Sequence, residues 1–196
     1  MIRSIMDGVA ISIVEESKIL RGHASQYYVA AELCRRGIVA AVTMGGCPTT
    51  DILCTRLDGE GYAHLQVKTF RKGGRSCSVG LKAEKNHGDN FFWVLVGLPL
   101  NNNSSPDFYI IPSDEMQTHI KKCFELWAAQ PGRDGGTHDM NNSIRSVRVG
   151  SENRDGWEIQ QYKNGWERIA KKLNLKLQTE ALVDEEENDE DSDASS

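Results

Sequence analysis

An α/β layered domain is the fold class this sequence predicts, and three observations predict it. Stretches with helical apolar spacing are interleaved with β-branched and aromatic runs of strand length. The segment 50–70, TDILCTRLDGEGYAHLQVKTF, reads as two strands joined at Asp58-Gly59, a dipeptide strongly associated with hairpin turns. Phe91–Leu98, FFWVLVGL, is the continuous apolar run of a strand buried on both faces near mid-sheet. The chain has 196 residues, 39% of them hydrophobic, enough for one domain with a proper core. Its expected extent is 1–178.

Residues 9–20 have the pattern of a short helix, with Gly22 a break candidate. Over 23–36, Ala24, Tyr27, Tyr28, Ala31 and Leu33 give a helical apolar face, and Gly37 is a C-terminal stop. Arg35 and Arg36 in the last turn suit the helix dipole. Residues 38–43 read as a buried strand, and 44–50, MGGCPTT, as the loop before the hairpin. Pro48 cannot donate to a ladder, so it belongs at or before the strand start.

In the hairpin, Leu57 facing Glu60 places Asp51 across from Gln66, with Cβ atoms roughly 5 Å apart. Lys68 points to the same side as Gln66, while Ile52, Cys54, Leu65 and Val67 line the other face. The basic, glycine-rich RKGGRSC at 71–77 reads equally as a phosphate-touching loop or a solvated turn. Residues 78–89 are polar. A further strand is expected at 107–111, ended by Pro112, with Ser113 as N-cap of a helix reaching Ala129. Met116, Ile120, Phe124 and Trp127 form its buried stripe. Residues 131–142 read as a loop, 143–149 as a short edge strand, and 157–173 as a closing helix carrying Trp166, Ile169 and Leu173.

Charge divides the chain. Of 28 acids, nine lie in residues 180–196, where no base occurs, which leaves 19 acids against 23 bases over 1–179. A mildly basic body permits nucleic-acid binding without demanding it. Residues 179–196 are too poor in apolar residues to fold and are expected to be a disordered acidic tail. The longest apolar run is far shorter than the about 20 residues of a membrane span, and acids interrupt the N-terminal stretch, so a cytoplasmic protein with no membrane partner is expected. Five cysteines, Cys34, Cys47, Cys54, Cys77 and Cys123, are odd in number and form no CxxC pair, as reduced thiols would. His23, His64, His87, His119 and His138 are scattered without metal-ligand spacing, and neither a GxSxG elbow nor a P-loop occurs.

A carboxylate, an amide and an ammonium on one hairpin face make a candidate site. Metal-assisted phosphodiester hydrolysis needs oxygen ligands for a hard cation, a group that orients water, and positive charge against the growing negative charge. Asp51, Gln66 and the Val67 carbonyl supply the oxygens, and Lys68 supplies the charge. The plainer alternative is a salt bridge between Asp51 and Lys68. Because the opposite face is apolar, the hairpin belongs to the sheet core, which favours a functional pairing.

The succession YYVAAELCRRGIVAAV, TTDILC and HLQVKTF, followed more loosely by NFFWVLVGL and DFYIIPSDE, resembles the PD-(D/E)xK nuclease superfamily over about residues 22–130. The likeness is to its subgroup in which Gln replaces the acid of the second motif. The resemblance implies a restriction-endonuclease-like mixed β-sheet flanked by helices on both faces, and a Mg²⁺-dependent DNA endonuclease, with Mn²⁺ as an alternative ion. It implies Asp51 as the metal-binding aspartate, Gln66 as the replacement for the acid and Lys68 as the catalytic lysine. Gln26 stands about where the family often places a first-helix glutamate. Glu32, six residues on, is rotated by about 240° and does not take its place. Arg71, Lys72, Arg75, Lys82 and Lys85 are candidates for phosphate contact. DNA is the expected partner, RNA is left open, and a homodimer is the assembly by which many such nucleases cut both strands. The alternative reading is a catalytically inactive relative that binds nucleic acid or a protein.

Overall fold

The computed structural model of the chain describes residues 18–45, 47–100, 103–132, 135–150 and 152–176. The acidic segment, its boundary near 178 and the start of the expected helix at residue 9 lie outside them. A five-stranded mixed sheet is flanked by helices on both faces. Its strands are β1 (Val39–Val42), β2 (Ile52–Thr55), β3 (Ala63–Arg71), β5 (Phe91–Leu98) and β6 (Asp107–Pro112), in the order β1-β2-β3-β5-β6. All neighbours are antiparallel except β3 and β5, which run parallel. A separate two-stranded ribbon joins β4 (Ser76–Ser78) to β7 (Ser146–Arg148).

Helix α1 (Lys18–Cys34) buries Ser25, Val29 and Leu33, spaced four apart as one helix face requires. It runs unbroken through Gly22, the break candidate. A Cβ there would meet nothing within 4 Å, so Gly22 costs only its propensity, about 1 kcal/mol against Ala. The stop is at Gly37, whose φ of 74° a glycine adopts without strain, and Ile38 N–H returns to Leu33 O at 3.1 Å. Arg35 and Arg36 therefore follow the helix and reach back to Glu32.

Strand β1 is a half-exposed edge and not the buried strand its composition suggests. Strand β5 lies between β3 and β6 with every residue buried except Leu98, which its unbroken apolar sequence foreshadows. Gly97 is needed there: a Cβ would sit 2.9 Å from Phe70 Cζ and 3.4 Å from Asp107 Cβ. Gly97→Ala is expected to cost about 1–3 kcal/mol by overpacking. Urea denaturation measures this, and an unchanged midpoint would show that Phe70 swings aside freely.

One core holds Val29, Leu33, Leu65, Val94, Trp166 and Ile169, between the sheet and helices α1 and α3 (Glu167–Lys172). The other holds Phe70, Trp93, Leu95, Met116 and Ile120, between the sheet and helix α2 (Ser113–Ala128). Ser113 is not the N-cap of α2. Its hydroxyl instead accepts the His87 N–H at 2.8 Å, and Pro112 occupies the cap position. Phe124 and Trp127 are only half buried, and Trp127 stacks on His138 with ring centroids 4.0 Å apart. The closing helix expected from 157 is cut to α3. Asn164 N–H bonds Phe108 O at 2.9 Å and Lys163 bridges to Tyr109, so this stretch pairs with the open edge of β6 and cannot stay helical. Among the described residues no helix is long and apolar enough to cross a membrane.

A parallel β3–β5 pair needs a crossover connection. Here it carries β4 and a short 3-10 turn (Leu81–Glu84), with Cys77, Val79 and Ala83 packed into the second core. That connection roofs one face of β3.

Candidate active site

Pairing of Ile52 with Leu65 and Cys54 with Ala63 fixes the hairpin register, and the same count sets Asp51 opposite Gln66. The connection is looser than a two-residue turn. Ladder pairing stops at Cys54–Ala63, Leu57 does not pair with Glu60, and Gly59 (φ 81°) turns the chain. The register survives because Thr55 Oγ1 donates to Gly61 O at 2.8 Å and Arg56 N–H to Glu60 O at 3.4 Å.

Strand β2 begins at Ile52, but Asp51, one residue before it, carries the pairing one step further. Its N–H donates to Leu65 O at 2.8 Å, and its carbonyl accepts the Thr43 N–H at 2.9 Å. Its Oδ2 then accepts the Val67 N–H at 2.7 Å and a hydrogen bond from Gln66 Nε2. A side-chain carboxylate thus replaces the strand backbone where the ladder runs out, which satisfies a buried N–H that would otherwise be orphaned. Gln66 is buried at 7% exposure, whereas Asp51 is half buried. No ion pair joins Asp51 to Lys68 among the described residues, so the plain salt bridge is absent.

Gln66 pairs with Trp93 and Lys68 with Leu95, and those partners belong to the second core. Gln66 and Lys68 therefore point to the side roofed by the crossover. Half-buried Lys68 lies near Cys77 of that roof. Burial pushes the Cys77 thiol up to about 12, with the Lys68 ammonium pulling the other way. His64 shares the face: its Nδ1 is 3.3 Å from Thr50 Oγ1, one residue before Asp51.

The donor set fits a hard divalent cation. Among the described residues Asp51 Oδ1 and Gln66 Oε1 take no hydrogen bond, and Val67 lies past the last β2–β3 pair, so its carbonyl faces the unpaired edge. All three are oxygens, the ligands Mg²⁺ and Mn²⁺ take. Only one of them is anionic. Gln26 is half buried on α1 and brings no charge. Partial burial raises the Glu32 carboxyl, but hydrogen bonds from Arg36 and Arg35 outweigh it and hold the group below its ordinary value. Glu32 is thus committed to arginines.

The basic candidates separate. Lys82 Nζ donates to Pro48 O in the loop that delivers Asp51, with exposed Lys85 beside it. Arg71 lies at the other end of β3, roughly 17 Å from Gln66 at strand rise. Lys72, next in the chain, donates to Ser105 O at 2.8 Å and pairs with Asp107 at 3.5 Å. Arg75 is exposed in the turn before β4. Sequence reasoning passed over a second constellation, in which α2 sets His119 and Cys123 beside Asp155. The available signal was their spacing of four on an amphipathic helix.

No protein-family model matches the chain, and no curated protein matches it. In structure it is similar to a bacterial homing endonuclease, I-Ssp6803I, at 14% identity over 81% of this chain and 94% of that one, with a TM-score of 0.46. It is also similar to Hjc, a Holliday junction resolvase of the hyperthermophilic archaeon Archaeoglobus fulgidus, at 12% identity over 65% and 83%, with a TM-score of 0.37.

Proposed function

We propose that the chain is a restriction-endonuclease-like enzyme that hydrolyses phosphodiester bonds in DNA with a divalent metal, Mg²⁺ or Mn²⁺. The observation that carries this reading is the cross-strand pairing of Asp51 with Gln66 and the Val67 N–H, on the same face from which Lys68 projects. Asp51, Gln66 and the Val67 carbonyl would hold the ion. When bound, it supplies positive charge against the negative charge that grows on the phosphate, and acidity for a water molecule. Lys68 orients that water and adds its own charge in a partly desolvated place, where such charge counts for more than in bulk water. Lys82 and Lys85 meet the phosphates next to the site. Arg71 and Arg75 serve a more distant stretch of backbone, and Lys72 does so once freed from Asp107.

The expected result is nicking of supercoiled plasmid that needs Mg²⁺ or Mn²⁺ and falls on the order of a hundredfold in Lys68→Ala. Equal cleavage by wild type and Lys68→Ala would end this reading. The single carboxylate favours a second one: a nuclease-fold protein that binds nucleic acid or a protein partner without cutting. It predicts salt-sensitive DNA retention that survives neutralisation of Asp51, and no cleavage with either ion. Binding that is indifferent to salt would count against it.

A further inference from the structure

Away from the Asp51 edge, three side chains converge that the nuclease reading does not use. His119 and Cys123 lie one helical turn apart on α2, and Asp155 reaches them from the loop between β7 and a second 3-10 turn (Ile159–Tyr162). His119 Nδ1 stands 2.8 Å from Asp155 Oδ2, Cys123 Sγ 3.5 Å from Asp155 Oδ1, and Sγ 3.7 Å from Nδ1. Tetrahedral zinc with bonds of about 2.0–2.3 Å sets its ligand atoms roughly 3.3–3.7 Å apart. The Sγ–Nδ1 separation matches that figure. Asp155 meets the two groups with different oxygens, Oδ2 toward the imidazole and Oδ1 toward the thiol. One ligand atom from each of the three residues lies within 4.8 Å of the others, so a small turn of the carboxylate brings one oxygen to face both.

We infer that His119, Cys123 and Asp155 form a binding site for a zinc-type divalent ion, separate from the Asp51 site. Imidazole, thiolate and carboxylate are the mixed donor set that selects zinc over magnesium. Three protein ligands leave one coordination position for water. Without the ion, Asp155 accepts hydrogen bonds from the imidazole and the thiol. On binding, the thiol proton leaves to solvent, the imidazole proton moves to Nε2, and Sγ, Nδ1 and a carboxylate oxygen bond the metal. The surroundings fix the geometry. Trp157 stacks on the His119 ring at 4.0 Å, and the Trp157 N–H donates to Asp155 Oδ1 at 3.2 Å. Asn153 in the same loop accepts the Arg148 N–H at 2.8 Å and donates to Arg148 O and Trp157 O. An ion here would therefore pin α2 to the loop that holds the end of β7, and with it the ribbon over Lys68.

The test uses the full chain with Cys34→Ser and Cys47→Ser, which removes the two exposed thiols; Cys54 and Cys77 are buried. Titration with Co²⁺ is expected to give a thiolate-to-cobalt charge-transfer band saturating at one ion per chain. Zn²⁺ should bleach it, Cys123→Ser should abolish it, and Asp51→Asn should leave it intact. Absence of the band, or its persistence in Cys123→Ser, overturns the proposal. Should that variant fail to fold, alkylation of Cys123 decides: slowing by Zn²⁺ supports the site, and an unchanged rate refutes it. Nicking is not read in this experiment, so its outcome is independent of the nuclease reading.

Discussion

Asp51→Asn is expected to lower metal-dependent nicking on the order of a hundred- to a thousandfold while leaving the fold nearly as stable as wild type. The two effects separate because Asp51 has two tasks. As an acceptor, its Oδ2 takes the Val67 N–H and the Gln66 amide just before β2 begins. An asparagine oxygen accepts the same two bonds, so stability should change by less than about 1 kcal/mol. As an anion it is the one charged oxygen offered to a cation, and the amide removes that charge. Asp51→Ala removes both tasks and orphans the buried Val67 N–H, adding a stability loss of about 1–3 kcal/mol. Plasmid nicking and urea unfolding of both variants give the answer. If Asp51→Asn cuts as fast as wild type, the carboxylate is only a cap on the sheet edge.

Trp166→Ala is expected to have the largest effect on stability, about 3–5 kcal/mol. Trp166 is 2% exposed and packs on Phe108 of β6 with ring centroids 5.2 Å apart. The Arg36 guanidinium, just past the end of α1, lies 4.9 Å from the ring centre. The indole thus ties three elements together at the start of α3. Trp127→Ala is the control. That ring is half buried, against His138 and Phe124, and should cost less than half as much. Denaturant midpoints at unchanged slope measure both. Similar losses in the two variants would mean that the Trp166 contacts are not the ones that close the domain.

The part of this protein legible in its sequence is the part encoded by alternation. Ile52, Cys54, Leu65 and Val67 must all face a core, and a slip of one residue would turn every one of them outward. Counting outward from Asp58-Gly59 set Asp51 across from Gln66, and that register holds even though the turn is longer than the dipeptide alone suggests. The buried β5 and the glycine stop at Gly37 were legible for similarly local reasons. Ser113 was misread because its hydroxyl meets a backbone N–H 26 residues away, which no cap rule anticipates. The helix expected from 157 was lost to the open edge of β6, whose unpaired groups outbid the local spacing for residues 163 and 164.

The sequence by itself thus determined the hairpin, its register and the identity of the groups on its polar face, because side-chain direction along a strand follows from position alone. Only the tertiary structure decided what lies over that face, that β1 is an edge, and that His119, Cys123 and Asp155 meet. Those outcomes depend on where the crossover after β3 and the loop after β7 come to rest. Local periodicity carries no record of which distant segments a buried face will meet.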